Sequence, residues 1–222
     1  MKEALIKNRK ERLILPSRKD ESNQPAQSDS KKTVLETERL VVRQMAPDDF
    51  ENVRRFLADP EVMYAYEHGF DDDEVRQWIA QNQKRYTQDG FGLWLIIEKK
   101  TGESIGDCGI TWQEAKGKPV LEIGYHLEKN KWHQGFAIEA AKACKALAFE
   151  KLHAEAITSI IRDTNLASQK VALANGMKPI QTLIKQYRGY TMPHLVFSIT
   201  KEQYEKERLD NEKKPAGNAD QT

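Results

Sequence analysis

The chain has 222 residues, of which 39% are apolar and 31% charged, with 35 Lys/Arg against 34 Asp/Glu and a formal net charge of +1. That length fits one domain with tails, and the apolar share is enough for a packed core. Charge so evenly balanced argues against a dedicated nucleic-acid binder, which needs a basic excess, and no run approaches the roughly 18 consecutive apolar residues of a membrane span.

Residues 1–32 read as a tail with a short helix over 2–13. They carry nine Lys/Arg and five Asp/Glu. Removing the tail leaves 26 Lys/Arg against 29 Asp/Glu, a net acidic remainder that repels phosphates, so no nucleic-acid partner is expected. The N-terminus lacks a long apolar stretch followed by a small-residue cleavage site, and a cytoplasmic location is expected.

The domain, residues 33–202, alternates short β runs with helices. Residues 39–45 read as a strand. Pro47 opens a helix that Pro60 closes, and a second helix over 71–90 has acidic residues in its first turn and Gly90 at its end. Residues 91–113 form a hairpin turning at Gly102, and 119–128 a third β run. A long helix starts at Gly135, with Phe136, Ala140, Ala143 and Leu147 along one face. A strand over 154–162, a short helix ending at Asn175-Gly176 and two closing β runs complete the domain. Residues 203–222 read as a charged helix that frays into a C-terminal tail. The order predicts an α/β domain with a mixed sheet. Cys108 and Cys144 match no metal or disulfide spacing and read as buried free thiols; no metal is expected.

Gly135 opens a helix directly after a strand and loop. A helix N-terminus leaves about four N–H groups without intrahelical partners and carries partial positive charge, and glycine lets a ligand approach the backbone. "WHQGFA" therefore offers an anion cradle at Gln134, Gly135, Phe136 and Ala137, with neither a Walker A nor a GxGxxG pattern around it.

"LEIGYHLEKNKWHQGFAIEAAKA" resembles the acetyl-CoA-binding motif of the GNAT acetyltransferases, in particular the branch with the Rim-type ribosomal-protein N-terminal acetyltransferases. Gly135 and Ala137 fill two fixed positions of the motif, and Trp132 stands where the pattern has a basic or amide residue. "TERLVVRQMAPDDFENVRRFLADPEV" and "DTNLASQKVALANGMKPI" resemble the branch's opening and later segments, so the likeness spans about residues 35–200. It implies a single GNAT-type domain: a mixed, mostly antiparallel sheet with splayed central parallel strands flanked by helices. It also implies acetyl-CoA as cosubstrate, with the pantetheine arm along the backbone of Tyr125, His126 and Leu127. The pyrophosphate would lie on Gln134, Gly135, Phe136, Ala137 and Ile138, with His133 a further cofactor-binding residue and Asn165 near the pantetheine or the thioester.

Acyl transfer to an amine needs a proton acceptor, a donor for the carbonyl oxygen and a donor for the departing thiolate. Glu122 is the candidate base and Ser168 the candidate thiolate donor; an ion-paired strand glutamate and a helix-capping serine are the plain alternatives. His126, Tyr190 and His194 are further candidates, and Trp78, Trp94 and Trp112 read as core or acceptor-pocket wall. A backbone N–H near His126 or Leu127 suits the carbonyl oxygen. The expected activity is transfer of an acetyl group to a primary amine, on a peptide or a small molecule, by direct attack in a ternary complex. The alternative is a non-catalytic acyl-CoA sensor or docking module. A homodimer is compatible with this fold.

Overall fold

The computed structural model describes residues 31–187 and 189–212. The tail over 1–30, including the whole of the expected helix at 2–13, and residues 213–222 lie outside the described residues. Eight strands form one sheet, in the order β1-β2-β3-β4-β5-β6-β8-β7. They are β1 (Thr33–Glu36), β2 (Leu40–Arg43), β3 (Leu93–Glu98), β4 (Ser104–Ala115), β5 (Lys118–Leu127), β6 (Ala156–Arg162), β7 (Lys178–Tyr187) and β8 (Tyr190–Thr200). Every neighbouring pair is antiparallel except β5 and β6, which run parallel and meet at a single register, Glu122 opposite Thr158.

The helices are α1 (Phe50–Leu57), α2 (Asp72–Gln88), α3 (Phe136–Glu150), α4 (Leu166–Ala174) and α5 (Lys201–Glu212). The expected order of elements is observed with one addition, β1 before the first expected strand, and the expected C-terminal charged helix is α5. Acidic caps explain where α2 begins. The Asp71 side chain accepts from Glu74 N, and Glu74 returns a bond to Asp71 N.

Strand alternation divides the core into two layers. On one face of the sheet Leu93 and Leu95 pack with Met45, Val53, Phe56, Leu57, Val75 and Ile79 under α1 and α2. On the other, Trp94, Ile96, Cys108, Ile110 and Ile123 pack with Phe136, Ala140, Cys144 and Ala148 of α3. The buried face of α3 thus runs through Ala141, Cys144 and Ala148, while Ala143 and Leu147 sit at its margin, rotated from the stripe that the sequence predicts. Trp94 belongs to this core, but Trp112 lies half exposed toward the outer end of β4 and walls neither core nor pocket. Both cysteines are buried and free, their sulfurs 3.5 Å apart.

Helix α5 is more than a charged tail. Tyr204 stacks on Phe149 with ring centroids 4.8 Å apart, and Glu207 meets the buried Lys145 Nζ at 2.9 Å. Lys145 also donates to the Asn175 carbonyl at 2.7 Å, which ties α3, the end of α4 and α5 together.

Candidate active site

The gap between β5 and β6 is built from side chains that replace missing ladder bonds. The Thr158 hydroxyl donates to the Leu121 carbonyl at 2.9 Å, and the Ser159 hydroxyl to the Ile123 carbonyl at 2.9 Å. The Ile160 amide donates to Glu122 Oε1 at 2.9 Å. These groups span a distance that two directly paired strands would close with backbone bonds. Beyond them the strands separate into a cavity of about 800 Å³, within the range of small-molecule and cofactor clefts.

One end of the cavity is made of main chain. Gly135 takes φ +82° at the N-cap of α3, a left-handed conformation that favours glycine, and no side chain caps the helix. Among the described residues, the amides of Gln134, Gly135, Phe136, Ala137 and Ile138 have no acceptor. A Cβ on Gly135 would meet only the Arg39 Nη2, at 3.2 Å. Arg39 lies over the Phe136 ring and is held by Glu139 at 2.6 Å and by the Gln134 carbonyl at 2.9 Å. Burial works against the Glu139 charge, but bonds from Thr37 and Arg39 outweigh it and hold its carboxyl below the usual range. A free-amide cradle beside a guanidinium fits a diphosphate.

The expected edge of β5 is only partly open. Because Leu121 and Ile123 turn their carbonyls toward β6, alternation points the backbone of Tyr125 and Leu127 the same way. The Leu127 carbonyl is taken by Trp132 Nε1 at 2.9 Å. The His126 amide faces the other way and donates to Asp107 Oδ1 at 3.1 Å. His126 therefore departs from the expected edge role: its backbone belongs to the β4 side, while its side chain enters the cavity.

The sequence reading missed Asp107. It is fully buried on β4, opposite His126, and binds three donors: the His126 amide, His126 Nδ1 at 2.8 Å and Trp78 Nε1 at 3.0 Å. The Tyr66 and Trp78 rings lie 5.7 and 5.5 Å from the imidazole. The alternation of "IGDCGI" placed Asp107 and Cys108 on opposite faces, a signal that a carboxylate points away from the cysteine's side of the strand.

Glu122 lies on the same sheet face as His126. Burial raises its pKa, against which the Ile160 amide, Lys185, His126 and Arg85 act. On the α4 side, Ser168 and Asn165 both line the cavity. The Asn165 side chain caps α4 by accepting from Ser168 N at 3.0 Å, and Tyr125 Oη bonds the Ser168 carbonyl at 3.1 Å. The Ser168 hydroxyl has no partner among the described residues. His133, at φ +58°, also lines the cavity, whereas the Gln134 side chain folds back on the Asn130 carbonyl at 2.7 Å. His194 lines the far wall, its pKa lowered by burial, but Tyr190 is more than half exposed and lies outside the lining.

A family model described as "Acetyltransferase (GNAT) domain" matches residues 39–178. The chain belongs to the GNAT acetyltransferases. This GNAT protein is 36% identical over 155 residues to the uncharacterized protein YkkB of Bacillus subtilis, covering 69% of this chain and 90% of that one. It is 29% identical over 175 residues to the uncharacterized N-acetyltransferase p20 of Bacillus licheniformis, covering 77% and 97%. Among solved structures, the ribosomal-protein alpha-N acetyltransferase RimL in complex with coenzyme A shares the fold at TM-score 0.64 and 15% identity, covering 76% of this chain and 98% of that one. The GNAT chain is an acetyl-CoA-dependent acetyltransferase with a single α/β domain. Among the described residues no helix is long and apolar enough to cross a membrane.

Proposed function

We propose that this acetyltransferase passes the acetyl group directly to a primary amine, in a ternary complex assembled across the β5–β6 gap. The observation that carries this reading is the row of five amides without acceptors, Gln134 to Ile138, at the mouth of an 800 Å³ cleft. These amides hold the diphosphate. The open backbone edge at Tyr125 and Leu127 pairs with the pantetheine arm, and His133 and Asn165 flank it. When bound, acetyl-CoA supplies an activated acyl group as a thioester.

The chain's own groups do the rest. The Leu127 amide is the donor for the carbonyl oxygen, since the His126 amide is committed to Asp107. The Ser168 hydroxyl gives a hydrogen bond to the departing thiolate. Glu122 and His126 are the two groups on the acceptor face able to take up the amine's proton. Holding nitrogen and thioester in register accounts for much of the rate, with effective molarities worth about 7 kcal/mol or more in well-oriented pairs.

The acceptor is a peptide N-terminus or a small-molecule amine. The Rim-type motif and the fold shared with RimL support the peptide. Labelled acetyl-CoA offered with peptides, polyamines, amino acids and aminoglycosides tests the reading, and transfer to nitrogen is the expected outcome. Tight acetyl-CoA binding with no transfer across that panel would replace it with a sensor or docking module.

A further inference from the structure

We infer that His126, held by Asp107, is the group that removes the proton from the acceptor amine, and that Glu122 is a strut of the cleft. The inference rests on the acetyl-transfer reading and goes further by assigning the proton. Three observations carry it.

The first concerns the ring nitrogens. Nδ1 of His126 lies 2.8 Å from Asp107 Oδ1. A carboxylate only accepts, so Nδ1 carries a hydrogen, and in the neutral tautomer the lone pair sits on Nε2. No described residue bonds Nε2, although the ring lines the cavity and is largely buried, its side chain 11% exposed. A neutral imidazole whose second nitrogen faces a cleft is equipped to take a proton from whatever enters.

The second is how firmly the ring is held. Asp107, itself fully buried, grips both the amide and the ring of the same residue while Trp78 binds its other oxygen. The edge-on Trp78 ring and the tilted Tyr66 ring pack against the imidazole. A base must be within hydrogen-bond reach and correctly oriented before its proton affinity matters.

The third is that one oxygen of Glu122 is already engaged. Its Oε1 completes the backbone bonding of Ile160 at the one register where β5 and β6 pair. Drawing that oxygen toward a substrate would take from the part-buried Ile160 amide its partner. The charged and titratable groups around His126 are Asp107 from β4, Tyr66 and the His68–Glu74 pair from the α1–α2 connection and α2, and Glu122 from its own strand. Arg85, Arg162 and Lys185 lie farther along the same cavity wall.

The ammonium gives one proton to His126 Nε2, and Asp107 stabilises the resulting imidazolium. The freed nitrogen lone pair forms the N–C bond to the acetyl carbon, and the C–S bond breaks. The sulfur leaves with the electron pair and is protonated to the thiol, drawing on the second nitrogen proton, with the Ser168 hydroxyl as its hydrogen-bond partner. The imidazolium returns its proton to water.

The test compares pH profiles of kcat/KM with an accepted amine for the intact protein, His126→Gln, Asp107→Asn and Glu122→Gln, with acetyl-CoA affinity measured on each. We expect His126→Gln to lower kcat about 10²–10⁴-fold, the usual contribution of a positioned base. Its acetyl-CoA Kd should stay within about threefold, and its acid limb should disappear, leaving only the amine's own titration. Asp107→Asn should displace the limb. Glu122→Gln keeps an oxygen for Ile160 N–H but cannot take up a proton, and its limb should persist. A limb lost in Glu122→Gln and kept in His126→Gln overturns the assignment. Should His126→Gln not fold, the same question is answered on intact protein by NMR titration of its five histidines. One must titrate at the kinetic limb, and none doing so overturns it. Acetyl-CoA binding by the intact protein without transfer to any amine removes the reaction itself, and the base with it.

Discussion

The two ends of the cleft are built from different materials. At the proposed cofactor end the candidate groups are main-chain amides at the start of α3, and the Gln134 side chain is turned away toward the Asn130 carbonyl. At the proposed acceptor end the candidate groups are side chains: Trp78, Asp107 and His126, joined by hydrogen bonds to one another, and Glu122, which accepts from the Ile160 amide. A cradle of amides depends on backbone shape, and so on glycine at one position. A cluster of side chains depends on every member.

This contrast can be broken most severely at Gly135. Gly135→Glu brings a carboxylate to the open amides and forces a side chain onto a φ of +82°, and it should lower acetyl-CoA affinity more than about 100-fold in calorimetry, some 2.7 kcal/mol, with the fold retained. Unchanged affinity would empty the cradle of its role. At the acceptor end, Trp78→Phe removes one hydrogen bond to a buried carboxylate, worth about 1.5–3 kcal/mol. It should reduce kcat roughly tenfold while leaving acetyl-CoA Kd alone; an effect on Kd instead would merge the two ends. Ser168→Ala should lower kcat by a similar or smaller factor, again more than it raises KM for acetyl-CoA.

Stability sharpens the same comparison. The pKa of Glu122 is raised by burial, so the folded protein holds this proton to higher pH than the unfolded chain does. Stability is therefore lost as pH rises from the unfolded glutamate value through the folded one. Glu122→Gln escapes that loss. Its melting temperature should match the parent's at acid pH and exceed it near neutrality. An equal difference at every pH would mean that the carboxyl titrates alike in both states. Smallest of all, Gln134→Ala should change acetyl-CoA affinity less than about threefold, since its amide rather than its side chain faces the cleft.

What the sequence disclosed follows the same division. Glycine before a helix, amphipathic spacing and capping residues are local signals, and they located the α3 cradle, the order of elements and the free thiols. Asp107 was invisible because its meaning is its partner: nothing within "GDC" says that His126 lies opposite on the next strand. His126 itself was placed by the family likeness on the cofactor edge, and only the strand register turns its backbone away. The rotation of the buried face of α3 was hidden because its small residues, Ala140, Ala141, Ala143 and Ala148, pack equally well in several orientations. Trp112 looked like core because tryptophan usually is; the far end of β4 extends past the layers that would cover it. The docking of α5 depends on Lys145, a charge that a local reading assigns to solvent.

The hydroxyls of Thr158 and Ser159 have a kinetic consequence. They act as spacers that bridge β5 and β6 with their own bonds satisfied, so the cleft is expected to stand open before acetyl-CoA arrives. Loading should then proceed as a docking event without remodelling, and amide exchange along β6 should be the same with and without coenzyme A. Between turnovers nothing has to reset.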